Sequence, residues 1–312
     1  MSDVKFTDEF IRSIGPDLKR LASADIRIRS KIQEFGVDVV PLGIYCSHPS
    51  ISEIKNSFEY TSDGPPYLLP RIFEPEKLNR TLSQLLEFAD EFNPPTSGDE
   101  NAPSSFFWNN NIFSYSDAMS YYCFIREIKP TSIVEIGSGF STLVAIEAVE
   151  RNRAGTIHCI EPFPRKFLTK ERRINLHTIK AQNVDAGYLN RLLRDNDILF
   201  IDSTHTVKTG SDCLHIYLRL IPEIRSKVFV HVHDVFLPFG MPKEWLLEHQ
   251  YFWTEQYLLL AFLLDNPKAS VLYGSNYNAR WNTSLMEALM KNKYGYGGGS
   301  LWFQYDGNPT TK

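Results

Sequence analysis

Cysteine is scarce in this 312-residue chain: four thiols, at 46, 123, 159 and 213, with no CxxC pair among them. That spacing excludes a zinc ribbon and a disulfide scaffold, and it points to free thiols in a reducing compartment. Long apolar runs are missing too. The longest covers residues 257–264, far short of the ~20 residues that a spanning helix needs. The opening residues, MSDVKFTDEF, place acids where a secretory leader would carry its apolar stretch. A cytoplasmic protein without a membrane partner is the expectation. Blocks of Lys and Arg are lacking as well. With 33 basic against 37 acidic residues and a net charge of −4, the chain has no electrostatic footprint for nucleic acid. What is present is ordinary for a folded protein, 43% hydrophobic and 22% charged, which excludes a disordered chain.

The first hundred residues and the rest read differently. Pro65, Pro66, Pro70 and Pro75 interrupt any long helix in the early region. A helix is expected over residues 75–92, with Leu78, Leu82, Leu85, Leu86 and Phe88 on its apolar side. The stretch NPPTSGDENAPSS (93–105) is the most linker-like in the chain. It divides an N-terminal, mainly helical or irregular accessory and substrate-recognition region, 1–105, from a second domain, 106–312. Beyond it, strands are expected at 131–137, 156–161, 176–181, 197–202, 227–234, 270–273 and 300–304. Helices are expected at 116–129 and 141–152, after Pro164, and at 188–193, 214–220 and 255–265. Strands alternating with helices define an α/β fold, doubly wound around a mostly parallel, seven-stranded Rossmann-like sheet.

The sharpest local signal is VEIGSGFSTLVAIEA, 134–148. A buried strand runs through Glu135 into Gly137 and Gly139, and a helix starts near Ser141; glycines in such a turn let backbone approach a ligand closely. Glu161 ends the next strand, about 20 residues on, where an acid can accept bonds from two ribose hydroxyls. Two ligands compete, a nicotinamide dinucleotide and S-adenosylmethionine. The dinucleotide fingerprint G-x-G-x-x-G wants glycine where Thr142 stands. An acid as close as Glu135 suits an amino and sulfonium group better than a pyrophosphate.

The ordered segments DA (117–118), IR, KP, VEIGSGFST, DILFIDSTH, HVHDVFLP, FWTEQYLLLAFL and GGSLWF make the chain resemble the class I S-adenosylmethionine-dependent methyltransferases, over about residues 107–303. That resemblance implies a methyltransferase sheet and a cofactor, S-adenosylmethionine. Glu135, Gly137, Ser138 and Gly139 would line its methionine end, with Ser141 and Thr142 opening the helix beside it. Glu161 would hold the ribose, and Asp185, in QNVDA, would approach the adenine; as a residue, Asp185 reads equally as a helix N-cap.

A polar constellation follows that a buried sheet would not select for stability: Asp202 and His205 at the end of one strand, His231, His233 and Asp234 at the end of the next. Parallel strands put these ends on one edge, where doubly wound proteins bind ligands. Asp202, His205, His233 and Asp234 are the candidate catalytic residues. Asp202, His233 and Asp234 could hold a divalent cation such as Mg²⁺ or Mn²⁺. The other reading is a metal-free base, His205 or His233, tuned by a carboxylate. His231 alone reads as a hydrogen-bonded core histidine. The loop 237–253, with Gly240, Pro242, Trp245 and Trp253, is a candidate lid or acceptor-binding loop or packing for the next helix, and the segment NNNIFSY (109–115) reads either as an approach to the cofactor or as a capping turn. The expected reaction is methyl transfer to a hydroxyl of a small-molecule or saccharide-like acceptor, with homo-oligomer formation left open. The alternatives are an NAD(P)-dependent oxidoreductase and a cofactor-binding relative acting as an interaction module.

Overall fold

A computed structural model of the chain describes residues 6–113 and 115–308. The leader expectation for residues 1–5 and the single position Ser114 of the 109–115 segment lie outside them. Two compact units separate between Ser57 and Phe58. The first contains three helices: α1 (Asp8–Ala22), α2 (Ile26–Gln33) and α3 (Ile51–Asn56). Each has the cap its sequence offers: Thr7 for α1, Asp25 for α2 and, for α3, Ser50 with Glu53 in a reciprocal capping box. This is the expected N-terminal helical extension.

The second unit begins with α4 (Phe58–Thr61) and α5 (Pro75–Ala89), followed by α6 (Tyr115–Ile128). From there the chain alternates: β1 (Ser132–Ile136), α7 (Phe140–Asn152), β2 (Thr156–Ile160), β3 (Ile174–His177), α8 (Ala186–Leu192), β4 (Ile198–Ile201), α9 (Asp212–His215) and β5 (Val228–Val232). It continues with α10 (Lys243–Glu248), α11 (Glu255–Leu263), β6 (Ala269–Gly274), α12 (Ser275–Trp281), α13 (Thr283–Leu289) and β7 (Leu301–Tyr305). One seven-stranded sheet results, in the order β3-β2-β1-β4-β5-β7-β6. β7 is antiparallel to both of its neighbours, and the other paired strands run parallel. The doubly wound, mostly parallel sheet is as expected. Apolar residues fill both faces, one layer under α5, α6 and α7, the other under α8, α11 and α12.

Three expectations shift. The strand at 176–181 is β3, which starts earlier and ends at His177, because Ile174 registers with Ile157. After Pro164 there is a single 3₁₀ turn, Leu168–Lys170, in place of a helix. The helix at 214–220 divides into α9 and a π-helical turn, Ile216–Leu220.

The boundary at residue 105 falls inside the second unit. Helix α5 buries Leu78, Leu82, Leu85 and Ala89 and packs on α6 and β6. The proline-rich 93–105 stretch is flanked by rings that close on each other: Phe92 lies 5.8 Å from Phe106, 5.3 Å from Trp108 and 4.5 Å from Tyr122. Its composition is that of a linker, but its two ends share one core. Among the described residues, no helix is long and apolar enough to cross a membrane.

Candidate active site

The C-terminal ends of β1, β2, β4 and β5 share one edge of the sheet. At β1 the chain turns through Gly137, whose φ is +86°. A Cβ there would overlap the Asp202 carbonyl oxygen, so both conformation and space demand glycine. The turn is pinned by Gly137 N–H on Ile160 O (3.0 Å) and by Asp202 N–H on Ile136 O (2.9 Å). Gly139 meets nothing within 4 Å of its Cβ position and is only half-buried. Glu161, half-buried at the end of β2, accepts from Ser138 N–H at 3.3 Å and from Phe163 N–H at 2.7 Å. The turn and the ribose-acid candidate are therefore adjacent.

Glu135 takes a different position from the one expected of a residue facing a ligand. It is fully buried behind the turn, accepting from Tyr121 Oη at 3.0 Å and Thr142 Oγ1 at 2.5 Å, with Cys159 Sγ at 3.7 Å. Burial pushes its carboxyl up to about 7, although these hydrogen bonds favour the charge. Thr142 Oγ1 also accepts from Gly139 N–H at 3.2 Å, so Glu135 anchors the turn and the start of α7. Ser141 and Thr142 are both buried at that helix start. Asp185 caps α8, accepting from Tyr188 N–H at 2.8 Å. It is the N-cap that the sequence allowed, and it makes no contact with the glycine turn.

The second part of the site joins β4 and β5. His205 Nε2 lies 3.2 Å from Asp202 Oδ1 and 3.4 Å from Asp234 Oδ2, and its Nδ1 lies 2.8 Å from Glu255 Oε2. His233 Nδ1 lies 3.5 Å from Asp202 Oδ1 and 3.7 Å from Asp234 Oδ2, and its Nε2 lies 3.3 Å from Asp117 Oδ2. Asp202, His205, His233 and Asp234 thus converge. His205 and Asp234 leave their strands through left-handed backbone, φ +57° and +56°, a strain typical of functional turns. Burial opposes charge on both imidazoles, yet Asp202 and Glu255 raise His205 to about 10, and Asp234 and Asp202 hold His233 well above its ordinary range. Burial likewise opposes the charge of Asp202, but the His233 and His205 cations hold it well below the carboxylate range. Asp234 moves the other way, because burial raises it against the pull of the two histidines.

Asp117 and Glu255 complete the cluster; both lie in segments that carry the resemblance, but neither is given a site role by the sequence. Asp117, in α6, accepts from Ser275 Oγ (2.9 Å) and Gly299 N–H (3.1 Å), and Gly298 leaves no room for a Cβ beside its carboxylate. Glu255 opens the apolar helix α11 and also accepts from Tyr217 Oη at 2.9 Å, which gives the π-helical turn a purpose. The one sequence signal was an acid leading an otherwise apolar segment. Trp253 covers His205 with 4.5 Å between ring centroids. His231 is the core histidine expected, bonded to Ser300 Oγ at 2.8 Å and stacked 4.3 Å from Trp302.

A cavity of about 510 Å³ opens onto this cluster, lined by Asp117, His233 and Asp234. Both segments left open between function and packing reach it: Asn109, Phe113 and Tyr115 from one, Pro242 and Trp245 from the other. Asn110 organises the first by bonding the backbone of Phe107, Ile112 and Phe113.

This strand order, with a glycine turn after β1 and acids closing the neighbouring strands, is the doubly wound Rossmann-like sheet expected from the sequence. Residues 134–235 match the family model described as a methyltransferase domain. The chain is similar to an uncharacterized protein of Archaeoglobus fulgidus, 29% identical over 170 residues, covering 51% of this chain and 76% of that one. Among solved structures it is similar to the O-methyltransferase from Bacillus cereus, solved in complex with SAH (14% identity, 73% of this chain and 90% of that one, TM-score 0.38). Another is the O-methyltransferase TomG of Streptomyces achromogenes, solved in complex with SAM (15% identity, 73% and 90%, TM-score 0.38).

Proposed function

We propose that this methyltransferase transfers the methyl of S-adenosylmethionine to a hydroxyl of a small-molecule, saccharide-like acceptor. The observation that carries this reading is the double position of Asp202. Its backbone packs against Gly137 in the glycine turn, and its side chain meets His205 and His233 beside the cavity. A donor on the turn and an acceptor in the cavity would meet at this residue.

The residues fit the donor. Gly139 leaves open space at its Cβ position, Ser138 lies beside it, and Glu161 offers a carboxylate next to the turn. S-adenosylmethionine supplies, when bound, an electrophilic methyl on a sulfonium. A hydroxyl is a poor nucleophile until its proton is taken, so the chain's task is to orient the acceptor and accept that proton. Both nitrogens of each histidine face carboxylates, which makes the imidazoles paired cations. Two carboxylates line the cavity, Asp117 and Asp234; both oxygens of Asp117 are engaged by His233, Ser275 and Gly299, so Asp234, whose carboxyl is raised, is the better proton acceptor. His205 and His233 orient it. A second reading has one specific support: ligand atoms of Asp202, His233 and Asp234 lie within 4.8 Å of one another. These three would hold a divalent cation, Mg²⁺ or Mn²⁺, which polarises a bound hydroxyl.

The cavity lining supports this choice of acceptor class. Tyr115, Phe236 and Trp245 offer flat apolar faces, and Asn109, Asn111 and Asn276 offer amides, a combination suited to a polyhydroxylated ring. The 1–105 stretch is read as accessory, its 58–105 part contributing to acceptor recognition. Cys123, Cys159 and Cys213, buried free thiols, fit a cytoplasmic setting.

The test combines calorimetric titration of the donor with transfer of labelled methyl to catechol and saccharide acceptors. S-adenosylmethionine is expected to raise the thermal midpoint and NAD or NADP to leave it unchanged; the reverse ranking overturns the reading. Asp234→Asn should keep donor affinity and lose ~10²-fold or more in turnover. Loss of activity on chelation, restored by Mg²⁺ or Mn²⁺, selects the cation reading; indifference selects the metal-free one.

A further inference from the structure

One wall of the cavity, carrying Phe236, Pro242 and Trp245, is the loop between β5 and α10 together with the first turn of α10, with no ladder to hold the loop. Residues 59–67 and α11 fasten it instead. Tyr67 N–H donates to Pro238 O at 3.1 Å, and Tyr60 Oη donates to Met241 O at 2.7 Å. The Glu59 carboxylate lies flush against Gly240, where any Cβ would overlap it. Glu59 accepts in turn from Tyr257 Oη at 3.0 Å and from Tyr67 Oη, and the rings of Tyr67 and Tyr257 meet edge to face at 5.8 Å. Burial and the neighbouring Glu59 charge push both phenols up, so they remain donors.

The start of α11 connects this arrangement to the reacting groups. Its first three residues reach three places: Glu255 pairs with His205, Gln256 Oε1 accepts from Phe236 N–H at 3.0 Å, and Tyr257 reaches Glu59. A displacement of the wall would therefore be felt at the acid–histidine cluster through one helical turn.

We propose that Glu59, with Tyr67 and Tyr257, forms a latch that positions the acceptor wall, so that Glu59 is a positioning residue for the methyl acceptor and not for the methyl donor; this rests on the methyltransferase reading of the site. A carboxylate accepting two phenol hydrogen bonds is charge-assisted. Its removal frees a loop whose reordering the acceptor must then drive on binding. The hydrogen bonds Glu59 accepts come from Tyr67 and from Tyr257 on the wall side of α11, so the acceptor side of the site is expected to feel its loss first.

Hydrogen exchange of the cofactor-free full chain tests the latch without any acceptor. In Glu59→Ala, amides of residues 236–248 should exchange ~10-fold faster while residues 132–152 keep their protection. Gly240→Ala, which displaces the carboxylate from the opposite side, should do the same, and Glu59→Gln should restore most of the protection. Unchanged exchange at 236–248 in Glu59→Ala and Gly240→Ala overturns the proposal. Kinetics with S-adenosylmethionine and two probe acceptors, 3,4-dihydroxybenzoate and methyl glucoside, test its consequence. Glu59→Ala should raise acceptor KM ~10-fold with donor KM unchanged and kcat within a few-fold. An equal loss for donor and acceptor would show general damage and also overturn it. A wild-type protein that methylates neither probe counts against the acceptor reading, while the exchange comparison still decides the latch.

Discussion

Glu135 permits a stability measurement that isolates one buried carboxyl. Replacing it with Gln keeps the shape and removes the titration. In the native state its carboxyl stands at about 7, whereas an unfolded glutamate titrates near 4.5. Between those values the native state holds the proton and the unfolded chain releases it. The contribution to stability is therefore fully present below the unfolded value and is lost as pH rises from there through about 7. At about 1.36 kcal/mol for each pH unit between the two values, the full effect is roughly 3 kcal/mol, of which about 2.5 kcal/mol falls between pH 5 and pH 8. The absolute stability of Glu135→Gln also includes the cost of placing an amide N–H₂ near Thr142 and Cys159, so the pH slope is the quantity to compare. Urea unfolding of both proteins at pH 5, 6, 7 and 8, without ligand, supplies it. Other titrating groups cancel in the difference, because none of them contacts Glu135 apart from Tyr121 and Cys159, which remain neutral here. Wild type should lose about 2.5 kcal/mol relative to the variant across this range. Parallel curves would mean that Glu135 is already ionised at pH 5, and the burial argument would be refuted.

Three further outcomes are expected. Glu161→Ala should weaken S-adenosylmethionine binding by roughly 1–3 kcal/mol with the fold intact; unchanged affinity by calorimetry would leave Glu161 as a strand terminator that only organises Ser138 and Phe163. Gly137→Ala, forced into left-handed backbone against the Asp202 carbonyl, should cost more than ~4 kcal/mol or prevent folding, whereas Gly139→Ala should melt normally by circular dichroism and bind the donor ~10-fold less tightly. A cooperative Gly137→Ala protein with wild-type midpoint would contradict the turn geometry. Deleting residues 1–57 should leave a cooperatively folding remainder, but deleting 1–105 removes the buried Leu78, Leu82, Leu85 and Phe92, at about 1.5–3 kcal/mol each, a loss on the scale of a whole domain's stability; a well-folded 106–312 fragment would reinstate the boundary at 105.

Local physical rules made much of this protein legible from residues alone. Strand, glycine turn and helix at 132–152 follow from short-range requirements: β-branched residues, then freedom of φ, then helical spacing. The strand ends that bear Asp202, His205, His233 and Asp234 were readable for the same reason, since a parallel sheet puts all such ends on one edge. Tertiary structure alone decided the rest. Gly137 must be glycine partly because a carbonyl from the end of β4 lies against it, a neighbour more than sixty positions away in the chain. Asp117 and Glu255 come from helices on either side of the β4–β5 edge, and no local pattern marks an acid as facing a particular histidine. Glu135 reads as a ligand-facing acid in sequence, and only the packing of Tyr121, Thr142 and Cys159 around it turns it into a buried anchor. The division at Ser57 was hidden because proline and glycine in 93–105 describe the backbone of that stretch, while the aromatic rings at its ends decide which core it belongs to. Composition and periodicity report what a segment can do by itself; contacts between distant segments depend on how whole surfaces fit, and that is settled only when the chain has folded.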